Sequence, residues 1–321
     1  MTDIAKDIIN GYAITQKEAL ALYDKDLDTL MGDAERIRKA RCGDAFDLCT
    51  IVNGKNGHCS ENCAFCAQAT SSRAAVEVHA LLDQDTVLEH AKRAEKAGIY
   101  RYSVVAVGRR LSKDEVDQVA SIFRALKKET RLHLCLSGGL LNKEDLSLLK
   151  EAGLERLHNN LETSRAYFPA LCTTHSYDEK IRTIRAAQAL DIEVCSGGII
   201  GVGEGRRDRV DLALALRDLD VQSVPLNILH AIEKTPLAHT PPLAEEEILR
   251  TFAVFRHILP GAFIRLAGGR KNLTGDGERA LYAGANAAIT GDFLNTCGAE
   301  EASDRAMAHR LGFRIEPTAL S

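Results

Sequence analysis

Apolar positions along this chain follow two rhythms that alternate. Stretches such as 89–97, 146–152 and 182–190 carry apolar residues at helical spacing among many charges. Each stops at a Gly or Asp (Gly98, Gly153, Asp191), and a short β-rich run follows within three residues, at 100–107, 155–160 and 192–196. The unit recurs at 280–283, Gly284 and 285–290. A residue that tolerates the left-handed conformation ends a helix cleanly, so each unit reads helix, stop, strand. Strands are predicted near 46–52, 100–107, 131–136, 155–160, 192–198, 222–228, 262–267 and 286–290. Alternating strands and helices imply a parallel sheet, and eight of each imply a (β/α)8 TIM-type barrel, with a doubly wound open sheet as the alternative.

Residues 1–45 read as helical, with Thr15 and Glu18 placed for a capping box and Leu20, Leu22, Leu27, Leu30 and Met31 supplying apolar faces. The barrel would occupy 46–290 and a C-terminal helical extension 291–321, and no low-complexity linker divides the chain. All of it reads as a single domain, for which 321 residues suffice.

The strands carry a second pattern. Barrel interiors are ordinarily filled by Val, Ile and Leu. Here polar residues recur at period two, in the pairs Arg101 and Ser103, His133 and Cys135, His158 and Asn160, Glu193 and Cys195, and singly at Asn227 and Arg265. Period two places each pair on one face of its strand. Facing inward, these residues would make a polar interior that must hold something, because buried polar groups need partners. Facing outward, they would be satisfied by local ion pairs.

Directly after the first strand comes His58-Cys59-Ser60-Glu61-Asn62-Cys63-Ala64-Phe65-Cys66-Ala67-Gln68. Three thiolates on one loop can each take one iron of a cubane cluster and leave the fourth iron open for a ligand. A zinc site or three unrelated core cysteines would be the plainer alternatives, but zinc usually takes four closed ligands from paired elements, and no second pair exists. Composition narrows the partners. The formal net charge of −4 offers no broad basic surface for nucleic acid or an acidic membrane. No run of 18 apolar residues occurs and the first residues lack a signal-peptide core, so a cytoplasmic location is expected. Nine cysteines, an odd number, fit metal ligands or free thiols better than a disulfide framework.

The spacing C-x3-C-x-aromatic-C, with Phe65 as the aromatic, resembles the signature of the radical S-adenosylmethionine (SAM) enzymes, where SAM chelates the open iron. Gly197, Ile199, Gly201 and Glu204 likewise resemble their G-x-I-x-G-x-x-E motif, which holds the adenosyl group. Within that superfamily the chain resembles the biotin synthase family from about residue 45 to 313. The matching stretches are 58–68, 160–164, 173–177, 194–204, 224–227 with 235–237, 264–270 and 283–286.

That resemblance implies a homodimeric barrel that converts dethiobiotin to biotin by inserting sulfur between two unactivated carbons. A 4Fe–4S cluster on Cys59, Cys63 and Cys66, reduced by flavodoxin or ferredoxin, would cleave SAM to methionine and a 5′-deoxyadenosyl radical, with no side chain as acid or base. Phe65, Asn160, Glu162, Gly197, Ile199, Gly201 and Asn227 would contact SAM or substrate, and Thr296 is a further polar candidate. The sulfur would come from a 2Fe–2S cluster inside the barrel on Cys135, Cys195 and Arg265. Arg265 could instead form a plain ion pair with Glu193 or another interior carboxylate.

The chain departs from the family pattern in three places. Where the family has a fourth ligand, a cysteine on strand two, this chain has Ser103, a hard ligand that rarely replaces thiolate on iron. His158 stands where an asparagine is usual, and Cys172 and Cys297 are additional thiols, either spare or stand-ins for the absent ligand. Cys42 and Cys49 read as structural. The competing classes are a paralogous barrel enzyme without sulfur insertion, of the hydrogenase-cofactor maturase or methylornithine synthase type, and a non-enzymatic metal-binding protein.

Overall fold

The computed structural model describes residues 3–57, 59–291 and 301–315. Its strands are β1 Ala45–Lys55, β2 Arg101–Ala106, β3 His133–Ser137, β4 Arg156–His158, β5 Glu193–Cys195, β6 Gly198–Ile200, β7 Ser223–Ile228, β8 Phe263–Leu266, β9 Ala287–Thr290 and β10 Arg314–Ile315. All pairings between them are parallel, and β9 returns to pair with β1, which closes the barrel. The open-sheet alternative is thereby excluded. The stop residues Gly98, Gly153, Asp191 and Gly284 all have φ between 50° and 110°, as the helix-stop-strand rhythm requires.

The fifth stave is not the single strand expected at 192–198. It breaks at Ser196 and Gly197 into β5 and β6, both of which pair with β7. The chain there is squeezed between two neighbouring backbones. A Cβ on Gly197 would lie 1.9 Å from the Pro225 carbonyl oxygen, and one on Gly198 would lie 2.2 Å from that of Glu162. Only glycine permits this approach. These two glycines therefore serve chain packing.

The alternation is polar inside and apolar outside. Leu48, Val104, Leu134, Leu157, Leu226 and Ile264 face outward into the buried layer beneath the helices, where Val116, Phe123, Leu146, Leu212 and Phe252 meet them. Thr15 and Glu18 do form their capping box on the helix Gln16–Leu22. The third helix, Leu27–Cys42, lies against the helix Glu245–Ile258 on the barrel's flank. In the 291–321 stretch the described part is a helix, Glu301–Arg310, followed by β10 on the start of β1. A buried ion pair between Arg270 and Asp304 (2.7 Å) fastens that helix to the loop after β8. Thr296 and Cys297 lie outside the described residues. Among those described, no helix is long and apolar enough to cross a membrane.

Candidate active site

The barrel encloses a cavity of about 340 Å³, open at the C-terminal ends of the strands. Its lining is the period-two set carried upward in layers: Arg101, Arg156 and Arg265 with Cys49, Ser103, Cys135 and Cys195, then His158, Asn160 and Asn227 towards the mouth. Cys66, Phe65 and Gln68 from the cysteine loop line it as well.

At the bottom lies Asp47, fully buried. Its carboxylate is 3.1 Å from Arg265, 3.2 Å from Arg156 and 3.3 Å from Arg101. Glu193 adds a second carboxylate, 2.8 Å from Arg156 and 3.8 Å from Arg101. Burial alone would raise the Asp47 carboxyl, but the three guanidiniums outweigh it and hold it well below the usual carboxylate range. The interior ion pair weighed for Arg265 is thus present, and its carboxylate is Asp47 rather than Glu193. The Arg265 guanidinium also donates to Asp47 O (3.0 Å), Ala288 O (2.9 Å) and Ser223 Oγ (3.4 Å).

Above this layer sit three buried cysteines. Cys135 is raised by burial, which Arg101 and Arg156 only partly oppose. Cys49 is also raised by burial. Cys195 goes the other way. Burial pushes it up, but its hydrogen bond with His158 and the charges of His158, Arg265 and Arg156 prevail and bring it to about 6. Ser223 Oγ donates to its sulfur at 3.3 Å. Among thiols at neutral pH, this one is poised to be a thiolate.

Two sequence expectations change here. His133 does not face the cavity: it pairs with Glu155 at 2.5 Å and its side chain is 38% exposed. It stands at the N-terminal rim, where the strand has not yet entered the interior. Cys49, read as structural, lines the cavity beside the other two cysteines. Asp47 and Arg156 were not singled out at all. Their signal was present, since Asp47, Cys49 and Ile51, like Arg156 and His158, continue the same period-two faces.

The cysteine loop crosses the mouth. Cys59, Cys63 and Cys66 are all partly buried, and burial raises each thiol above its ordinary range. Loading a metal centre there must therefore displace protons. One backbone donor already faces a ligand sulfur, Glu61 N–H at 3.4 Å from Cys59 Sγ, and a turn bond from Cys66 N to Cys63 O (3.0 Å) shapes the loop. The loop is moored to the segment after β4. Asn62 Oδ1 accepts from Thr173 N (3.0 Å), and Glu61 bonds Thr174 Oγ1 (2.8 Å) and His175 Nδ1 (2.5 Å). Cys172 belongs to this mooring, not to the inner layer. Its sulfur, that of Cys63 and a ring nitrogen of His175 lie within 4.8 Å of one another. It is thus no stand-in for the ligand absent at Ser103.

The remaining candidates gather around the mouth. Phe65 and Ile199 pack with Leu171, Val202 and Leu229 in a small apolar cluster. Asn160 Oδ1 accepts from Gly197 N (3.0 Å). Glu162, at φ 71°, accepts through its carbonyl from Ile199 N (2.9 Å). Gly201 N donates to Glu204 (2.9 Å), which Arg209 holds at 2.6 Å. Asn227 bridges Gly198 O (3.2 Å) and Gly268 N (3.0 Å), so both ends of its amide fix the strand ends.

A closed parallel barrel with three cysteines on the loop after β1 defines a radical SAM enzyme, and the sequence agrees. The radical SAM superfamily profile matches residues 56–216, and that of the Biotin and Thiamin Synthesis associated domain matches 225–314, the stretch that supplies β7, β8 and β9. Biotin synthase 2 of Corynebacterium diphtheriae is 47% identical over 98% of this chain and 95% of its own length. The biotin synthases of Clostridium perfringens and Clostridium botulinum are 48% and 47% identical, over 96% and 97% of this chain and 96% and 98% of theirs. The chain belongs to the biotin synthase family. Two solved structures share the fold at low identity. Methylornithine synthase has a TM-score of 0.85, covering 98% of this chain and 97% of that one at 19% identity. HydG, a maturase of the [FeFe]-hydrogenase, has 0.83, covering 99% and 77% at 16% identity.

Proposed function

We propose that this enzyme converts dethiobiotin to biotin by radical SAM chemistry, with sulfur drawn from a second iron–sulfur centre inside its barrel. The observation that carries this reading is the placement of a cysteine loop at the mouth of a cavity whose depth holds further buried cysteines among arginines. Bound on Cys59, Cys63 and Cys66, a 4Fe–4S cluster and SAM would supply a carbon radical able to attack unactivated C–H bonds, which acid–base chemistry cannot do. No residue is assigned as a general acid or base.

The chain's own part is positioning. Phe65 and Ile199 offer the adenine an apolar wall. Asn160, Glu162, Gly197 and Gly201 fix the backbone that edges the SAM site, and Asn227 stiffens the strand ends beside it. Cys135 and Cys195 serve the inner centre as thiolates, and Arg265 belongs to that site. The barrel, the N-terminal helices and the C-terminal extension act as one domain. A homodimer in the cytoplasm, reduced by flavodoxin or ferredoxin, completes the proposal. Growth of a biotin-requiring strain on dethiobiotin, dependent on this gene product, tests it. Failure to grow despite a folded, cluster-loaded enzyme would favour a paralogue that inserts no sulfur.

A further inference from the structure

We infer that Cys49 is the third thiolate ligand of the inner iron–sulfur centre, taking over from the position that Ser103 vacates. The inference rests on the proposed sulfur-donating centre and adds to it the ligand set.

Register places the thiol. Ser103 pairs with Ile51 on one side and with Cys135 on the other, and Cys49 lies one same-face step down β1 from Ile51. Cys49 is therefore the diagonal neighbour of Ser103 on the inner face, and such neighbours stand about 7–8 Å apart at Cα. A ligand moved by one strand and one step still reaches a centre of iron–sulfur dimensions. Cys49, Cys135 and Cys195 are 7%, 4% and 8% exposed, and all three line the same cavity. The Cys49 thiol has only a long contact to Thr50 O (3.5 Å), so its sulfur is not committed elsewhere by a strong bond. Soft thiolate is the ligand iron–sulfur centres take, and serine is a poor substitute.

Charge supplies the second, independent observation. Three guanidiniums face only two carboxylates in this interior, so the inner layer favours thiolates among its cysteines. Arg101, 2% exposed and on the cavity wall, has Nε 3.3 Å from Asp47 and Nη1 3.8 Å from Glu193 but makes a well-formed hydrogen bond through neither. Buried donors whose hydrogen-bonding capacity is left unfilled suit an anion in the cavity. A centre bearing three thiolates is such an anion.

The test is anaerobic reconstitution followed by iron and sulfide analysis and Mössbauer spectroscopy. Cys49→Ser should lose the inner centre's iron and leave only the loop cluster's complement, while Ser103→Ala retains both. The double variant Cys49→Ser, Ser103→Cys, which returns the thiol to β2, should regain the second signal, so a loss in Cys49→Ser cannot be put down to misfolding. Cys135→Ala with Cys195→Ala is measured alongside. If that variant loses the inner centre and Cys49→Ser keeps it, the Cys49 assignment is overturned while the proposed function stands. If every variant keeps the same iron and spectrum, no inner centre exists on these residues, and the sulfur-donor reading falls with it.

Discussion

Two cysteine-bearing regions face one cavity, and they are built in opposite ways. The loop at the mouth draws its three thiols from eight consecutive residues, and the segment after β4 moors it through Glu61 and Asn62. The inner layer draws its thiols from β1, β3 and β5, residues 49, 135 and 195, which meet only because the sheet closes. The loop is an accessible platform whose thiols are raised by burial. The inner layer is the depth of the cavity, where three arginines around Asp47 set the charge. One site is suited to exchange a ligand with solvent, and the other to keep an anion away from it.

The comparison breaks most sharply by mutation. Cys63→Ala should bring 5′-deoxyadenosine formation to background, a loss beyond the roughly 10–100-fold typical of residues that merely support a metal's ligands. Cys195→Ala should instead leave the loop cluster's spectrum in place and abolish biotin formation. Product analysis after single turnover distinguishes the two, and equal loss of both products in both variants would contradict the division of labour.

Asp47→Asn should destabilise the fold by about 3–5 kcal/mol, because it leaves buried guanidiniums unpaired. Thermal denaturation reads this directly. The same carboxyl gives a pH signature. Its folded-state pKa lies below its unfolded value, so its stabilisation is complete above about pH 4 and is lost as pH falls through the depressed folded value. Asp47→Asn should remove that acid limb from the stability profile.

Glu61→Gln should act least on the fold and chiefly on the loop. It weakens charge-assisted bonds to His175 and Thr174, worth about 1–3 kcal/mol, so cluster loading should fall while the melting temperature hardly moves. A large drop in melting temperature would show that the mooring is part of the barrel's own stability.

The contrast also accounts for what the sequence disclosed. The strands were legible because helices stop at Gly98, Gly153, Asp191 and Gly284, all of positive φ, just before a β-rich run, and the loop was legible because its ligands are contiguous. The inner chamber was half legible. Period two found Arg101, Ser103, Cys135, Cys195 and Arg265, but it promoted His133, which the rim leaves half in solvent, and it passed over Asp47, Cys49 and Arg156. Which end of a strand enters the interior depends on barrel stagger, and one strand's pattern cannot supply that. The break at Ser196 and Gly197 was hidden for a related reason: the glycines answer to the Pro225 and Glu162 carbonyls, which are distant in sequence or on another stave.

The central claim is that this chain inserts sulfur from its own inner centre into dethiobiotin, and isotopic sulfur tests it most directly. The enzyme would be reconstituted with 34S-sulfide, freed of unbound sulfide, and given dethiobiotin, SAM and a reductant for one turnover. The account predicts biotin carrying 34S. It also predicts that Cys135→Ala with Cys195→Ala makes no biotin while its loop cluster persists. Unlabelled biotin, or labelled biotin from the double variant, would contradict it.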